Sequence, residues 1–280
     1  MTRLCAISIL YAAGSWGVAA QFPENSAGKS VEMEGIDLYL HSATPSFGKI
    51  EDPTFWVHAL RGRLLDDPPL WSLESARATI YREPEDDLIL VAKAGSFDQE
   101  RKAAQLTGGV RVTSGPLVVD LQDIAWDESQ RVARSESIAT LNHGSNQIVG
   151  SSIAIFPDDD RVELGGGTAT ILLAQEPEGD AKKETSVTDK YKQLLIEEHH
   201  GSSGSLKGAP LQRIEGPVRM SLIGKAPEDT LTIKADSVDL EYGSDPETRT
   251  PSRVSLKGHV ELRQGESLIQ SDEADLNLSG

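Results

Sequence analysis

From Gly35 onward, apolar and polar side chains alternate at period two in short stretches, broken about every 8–12 residues by Gly, Pro, Asn or Asp. Successive strand side chains point to opposite faces, so this spacing buries one face of a strand and cannot give a helix an apolar stripe. The clearest stretches are Gly35 to Leu40, Ala78 to Tyr81, Leu88 to Ala92, Val110 to Val112, Ile138 to Leu141 and Ser152 to Phe156. Beyond residue 209 the pattern resumes with Pro217 to Leu222, Leu231 to Ala235, Val238 to Tyr242 and Val254 to Leu256. The expected fold class is all-β, with antiparallel strands joined by tight turns. Aromatic residues are 5% of the chain, which leaves the core to the strand-forming aliphatics Val, Ile and Leu.

Charge narrows the possible partners. Against 44 Asp and Glu stand 27 Lys and Arg, a formal charge of −17 with no clustered basic patch. Nucleic acid is therefore excluded as a partner, because neutralising phosphates needs grouped Lys and Arg. Residues 1–20 carry Arg3, then an apolar stretch from Leu4 to Ala20 ending on small residues. They read as a secretory signal cleaved after Ala20, or else as an uncleaved N-terminal anchor. Cys5 is the chain's single cysteine and lies within that stretch, so a processed chain has no thiol. That suits an oxidising compartment and rules out disulfides, cysteine-ligated zinc and cysteine nucleophiles.

The strand pattern fills residues 35–175 and resumes over 209–280. Residues 176–208 are rich in charge, Ser and Gly and read as a polar linker, with one short run, Tyr191 to Glu198, able to form a helix. The final stretches, Ser267 to Gln270 and Ala274 to Leu278, have no following partner in sequence, which marks a candidate open edge. A short unit recurs three times: Leu106 to Val112, Ile214 to Met220 and Leu256 to Leu262, each Leu/Ile-x-Gly-x-Val-x-apolar. The glycine is expected to sit at a bulge that lets a long strand turn a corner.

These units and their order resemble the periplasmic bridge proteins of bacterial lipopolysaccharide export. Residues 71–175 are similar to the inner-membrane-associated LptC-like subunit, through Trp71 to Leu73, Ala76 to Tyr81, Leu90 to Asp98, Leu106 to Val112, Leu117 to Asp127 and Val149 to Ser152. Residues 228–280 resemble the opening of an OstA (LptA-like) domain, through Leu231 to Asp236, Leu256 to Val260 and Gln270 to Ala274. The resemblance implies a twisted, open jelly roll of antiparallel strands, with acyl chains between its two sheets and the sugar and phosphates outside. It also implies a periplasmic location, docking to other β-jelly-roll bridge proteins by edge-strand pairing, and force supplied by an inner-membrane ABC transporter complex. Having both kinds of segment in one chain departs from the family pattern, and the second is shorter than a whole domain, suggesting a docking half that a partner completes.

On this reading the expected role is non-catalytic binding and transfer of lipopolysaccharide or a related glycolipid. The alternative is an envelope scaffold that binds protein and no lipid. Candidate groove residues are Val110, Val112, Val119, Ile124, Trp126, Ile138, Ile153 and Ile155; in the alternative they fill a closed core. Candidate docking positions are Ile36, Leu38, Leu40, Leu268, Ile269, Leu276 and Leu278, and proline at Ile269 is expected to remove a ladder donor and abolish assembly. Affinity has to come from acyl chains, at about 0.8 kcal/mol per buried methylene. The negative chain otherwise repels lipid phosphates, unless cations or local bases such as Arg111, Lys234 and Lys257 bridge them.

No cofactor, metal or enzyme signature is expected. Asp158 to Asp160 lacks the spacing of a calcium loop and reads as a solvated turn, and His199-His200 lacks a helical pair of ligands. Gly201 to Ser205 lacks the strand and helix of a nucleophile elbow, and Gly165 to Gly167 has no phosphate-cradling lysine. A carbohydrate-active enzyme on a β-solenoid remains a third, weaker possibility.

Overall fold

The computed structural model describes residues 31–41, 53–66, 69–82, 86–173, 190–243 and 250–278. The expected signal or anchor at residues 1–20 lies outside them. Among the described residues the chain is all-β: eighteen strands are linked through antiparallel ladders into one large sheet, with one 3-10 turn at Pro227–Asp229. Among the described residues no helix is long and apolar enough to cross a membrane.

Two compact units divide the chain. Of the described residues, the first takes those from 31 to 112 and 123–131, the second those of 113–122 and from 132 to 278. This is not the expected division at residues 176–208. In the first unit, Val31–His41 (β1) pairs with Pro53–Asp66 (β2), β2 with Pro69–Ile80 (β3), and β3 with Leu88–Asp98 (β4). Each of these ladders skips one row, formed by Gly35, Leu60, Ser75 and Lys93. Gly35 (φ +64) and Ser75 (φ +51) are left-handed there, and the inward phase changes: Ala59 and Gly62 are both buried while Leu60 and Arg61 are exposed. The strands therefore bend together along one line. Ala103–Ser114 (β5) and Leu117–Asp127 (β6) follow, and their hairpin tip, residues 113–122, belongs to the second unit.

In the second unit one ladder runs from β6 through Ala139–His143 (β8), Asn146–Gly150 (β9), Gly167–Leu172 (β12) and Tyr191–Glu198 (β13) to Arg213–Gly224 (β15). Another runs from Val132–Ser135 (β7) through Ile153–Phe156 (β10), Arg161–Gly165 (β11) and Gly201–Ser205 (β14), again to β15. β15 serves both because it bends: Arg213 to Glu215 pairs with β14 and Arg219 to Gly224 with β13. Between them lies Gly216 at φ +92, where a Cβ would also come within 2.6 Å of the His200 ring. The recurring glycine unit is thus seen at its corner, with Gly108 (φ +83), Gly109 (φ +91) and Gly258 (φ +73) at the equivalent places in the other two copies. One face of each ladder is buried, Leu141, Ile148, Ile171, Leu194 and Ile196 on the first, Ile155, Val162 and Leu164 on the second. Aliphatic side chains supply almost all of this core.

Tyr191–Glu198 and Gly201–Ser205, expected in a linker, are strands of this core. Tyr191 to Glu198 is β13, not a helix, with Leu194 and Ile196 fully buried between β12 and β15. The Gly-Ser run is β14, whose Gly204 packs so close to the chain at residues 209–210 that a Cβ would stand 2.3 Å from the Pro210 carbonyl carbon. A composition that signals flexibility here serves close backbone approach.

Candidate functional site

The sheet's C-terminal edge is Ser267–Asn277 (β18), which follows Leu231–Tyr242 (β16) and Pro251–Gln264 (β17). β15 pairs with β16, β16 with β17 and β17 with β18. Among the described residues β18 forms a ladder with β17 and with no other strand. A two-residue turn, Gly265-Glu266 with Gly265 at φ +56, sets the β17–β18 register from Gln264 opposite Ser267. In such a hairpin the residues flanking the turn exchange backbone hydrogen bonds, and bonded and non-bonded rows then alternate. Ile269 is thus bonded inward to Leu262, while the amides of Leu268 and Gln270 face outward. Proline at Ile269 would break the fold's own ladder; Gln270 is the position that tests the open edge.

The inward side chains of β17, Val254, Leu256 and Val260, are no more than 1% exposed. Their β18 neighbours lose that cover: Ile269, opposite Leu262, is 62% exposed, and Ala274 and Leu276 are half-buried. The apolar interior therefore ends in an uncovered row.

The bend crosses this region too. β17 carries an extra residue at Gly258-His259, opposite Asp236 on β16 and Asp272 on β18. His259 is left-handed (φ +44) and its Nδ1 lies 2.7 Å from Asp236 Oδ2. That hydrogen bond, then the charges of Asp236 and Asp272, hold the imidazole pKa above its ordinary value. Outer-face charges run in columns: Lys257 Nζ reaches Asp239 at 3.2 Å, and Asp275 accepts from Arg253 at 2.7 Å and from the Ser255 hydroxyl at 2.6 Å. The Arg253 and Ser255 hydrogen bonds lower the Asp275 carboxyl pKa. Lys234 pairs with Glu261 at 2.9 Å, so two of the bases expected to meet lipid phosphates already hold carboxylates.

The candidate groove residues divide between the units. Val110, Val112, Ile124 and Trp126 lie in the first, Val119, Ile153 and Ile155 in the second, and all seven are buried at 1–3% exposure. Trp126 stacks on Phe55 at 5.9 Å between centroids and donates from Nε1 to Glu128 at 3.0 Å. Ile138 does not belong with them. It is 67% exposed, because Ala139 and Leu141 take the inward phase of β8 and Ile138 precedes it one residue out of step.

Of the candidate docking side chains, Leu268 and Ile269 are exposed and Leu276 is half-buried. Ile36, Leu38, Leu40 and Leu278 are buried and cannot themselves touch a partner. The sequence reading missed the acids of β18, Asp272, Glu273 and Asp275. Their signal was legible: residues 267–277 hold three carboxylates and no Lys or Arg.

Other singled-out groups have structural work. Asp160 (φ +49) accepts from the Ser205 hydroxyl at 2.5 Å and from the Lys207 amide at 3.0 Å, fastening the loop after β14. His199 is buried, and its Nδ1 accepts from the Gly167 amide at 2.9 Å. Burial, then the neighbouring His200, lowers its pKa. Among the described residues no three His, Cys, Asp or Glu side chains converge as a metal site would require. The fold and edge thus define a class: an all-β protein of strands bent in register, with an uncovered apolar row at one edge. Neither family models nor curated proteins give a match to the chain.

Proposed function

We propose that the chain is a non-catalytic envelope protein that binds an amphiphilic glycolipid of the lipopolysaccharide type and passes it along a periplasmic bridge by joining other β domains edge to edge. Residues 1–20 deliver or tether it, and an ATP-driven inner-membrane partner supplies the force. One observation carries this reading: among the described residues β18 is paired on one side only, and the interior it borders is left uncovered at Ile269. A docked strand would extend both the ladder and the apolar row. Acyl chains would travel along that row, with phosphates remaining in solvent away from the acidic surface.

The scaffold reading has its own support, since the seven buried groove candidates are packed as a closed core. Expressing the full chain in a lipopolysaccharide-producing host and analysing its extracts by mass spectrometry separates the two. Photoreactive residues at Ile269 and Val112 add position. Lipid A species crosslinked at Ile269 support transfer; a lipid-free protein that still captures a β-domain partner leaves the scaffold. Neither lipid nor partner would sink both.

A further inference from the structure

Beyond the bend, across the outer face of residues 237–241, 253–257 and 273–275, the charges alternate by strand, whereas before it the order is reversed and Lys234 on β16 pairs with Glu261 on β17. Asp239 and Glu241 stand on β16, Arg253 and Lys257 on β17, and Glu273 and Asp275 on β18. The order is acid, base, acid, and the next strand in that series is basic. The opposite end of the described chain obeys the same rule. β1 holds Glu32, Glu34 and Asp37 and no Lys or Arg, while β2 beside it supplies Arg63 to Glu32 and Arg61 to Glu34, both at 3.8 Å. Each outermost strand is thus acid-only, and its inner neighbour provides the bases. Pairing two copies through these edges, β18 on β1, β18 on β18 or β1 on β1, brings together strands that carry acids and no Lys or Arg. Directly opposed like charges across a ladder are destabilising, and opposed unlike charges are stabilising.

Resting on the docking reading above, we propose that β18 selects a strand from a different protein. That strand carries Lys or Arg on its outward face and apolar side chains on its inward face, and the acid-only edges keep copies of this chain from polymerising. The inward requirement follows from Ile269, Ala274 and Leu276, which need apolar neighbours to close the row. The outward requirement follows from Asp272 and Glu273: no ion pair engages either carboxylate among the described residues, whereas Asp275 is held by Arg253. Acids on an edge also blunt non-specific aggregation, a role that carries no preference for a basic partner.

Two peptides of the eleven-residue length of β18 test this on the full chain, with the same alternating Val and Ile inward and either Lys or Glu outward. Fluorescence anisotropy at ~50 mM salt should give about ten-fold tighter binding of the Lys peptide, shrinking at ~500 mM as the charges are screened. Asp272→Lys with Glu273→Lys should invert the preference. It should also create self-association, read by sedimentation, because a basic β18 now meets the acidic β1 of another copy. Glu273→Gln serves where the double variant fails to fold, and should narrow the preference without inverting it. Equal binding of both peptides overturns the charge selection and leaves edge docking standing. Binding of neither overturns edge docking itself, and head-to-tail assembly of the unmodified chain overturns the exclusion of copies.

Discussion

β1 and β18 are both outermost strands, eleven residues long, acidic, and paired on one side only among the described residues. Their inward faces differ. β1 buries Ile36, Leu38 and Leu40 to 6–8% exposure, whereas β18 leaves Ile269 at 62% and Ala274 and Leu276 only half-buried. One edge is therefore finished by its own chain in everything but backbone hydrogen bonds, and the other lacks both hydrogen bonds and cover. An open edge by itself shows only that a ladder stops. An open edge beside an uncovered apolar row shows where a partner would gain free energy.

The largest test of that contrast is truncation on each side. Leu38→Ala removes a buried side chain and should cost about 2–5 kcal/mol, read as a lowered denaturation midpoint. Ile269→Ala should cost less than about 0.5 kcal/mol in the free chain and instead weaken partner binding. Equal losses would mean that β18 is as well covered as β1.

Backbone substitution sharpens the same point within β18. Ile269→Pro removes the amide bonded to Leu262 and leaves that carbonyl unsatisfied, about 1–3 kcal/mol of stability. Gln270→Pro removes an outward amide and should leave the fold within about 1 kcal/mol of the parent while eliminating strand docking. A fold lost at Gln270 and kept at Ile269 would reverse the hydrogen-bond phase given to this edge.

Why one edge was easier to foresee than the other follows from what each signal reports. Period two reports which face of a strand is buried, so the strands around Leu38, Ile80, Leu90, Val112, Ile155 and Val218 were legible, as were the glycine corners at Gly108, Gly216 and Gly258. It does not report whether anything covers that face. Leu38 and Ile269 look alike in sequence, and only the layers assembled around them distinguish the two. Ile138 failed for a simpler reason: a phase read across the Ser-rich turn was one residue out. β13 and β14 were missed because Leu194 and Ile196 sit in a charged run, and because Gly204 is small for packing and not for flexibility. The docking acids needed no structure, only attention to which strands lack bases.

Two histidines bring pH into the comparison. His199 is buried in the second unit with its Nδ1 committed to the Gly167 amide, and its pKa is lowered. The unfolded chain takes up a proton below about pH 6.5 before the folded one does. Stability should therefore fall as pH drops from 6.5 toward the lowered folded value, and His199→Gln should flatten that slope in denaturation series. A slope unchanged by the substitution would assign the loss to other groups.

His259, near β18, has the opposite sign. Its pKa is raised by Asp236 and then Asp272, so whatever it contributes is present below its unfolded value and lost as pH rises through the raised folded one. It is fully exposed, and its effect on stability should be the smallest of these. Its effect on docking is the more telling quantity. Protonated His259 partly offsets Asp236 and Asp272 beside the edge, and neutral His259 leaves them unopposed. A strand with basic outward residues should therefore bind more tightly as pH rises through the histidine's titration, and His259→Gln should remove that dependence while keeping the high-pH affinity. Tighter binding on acidification would mean that the partner's outward face is acidic, and that β18 attracts strands like β1 after all.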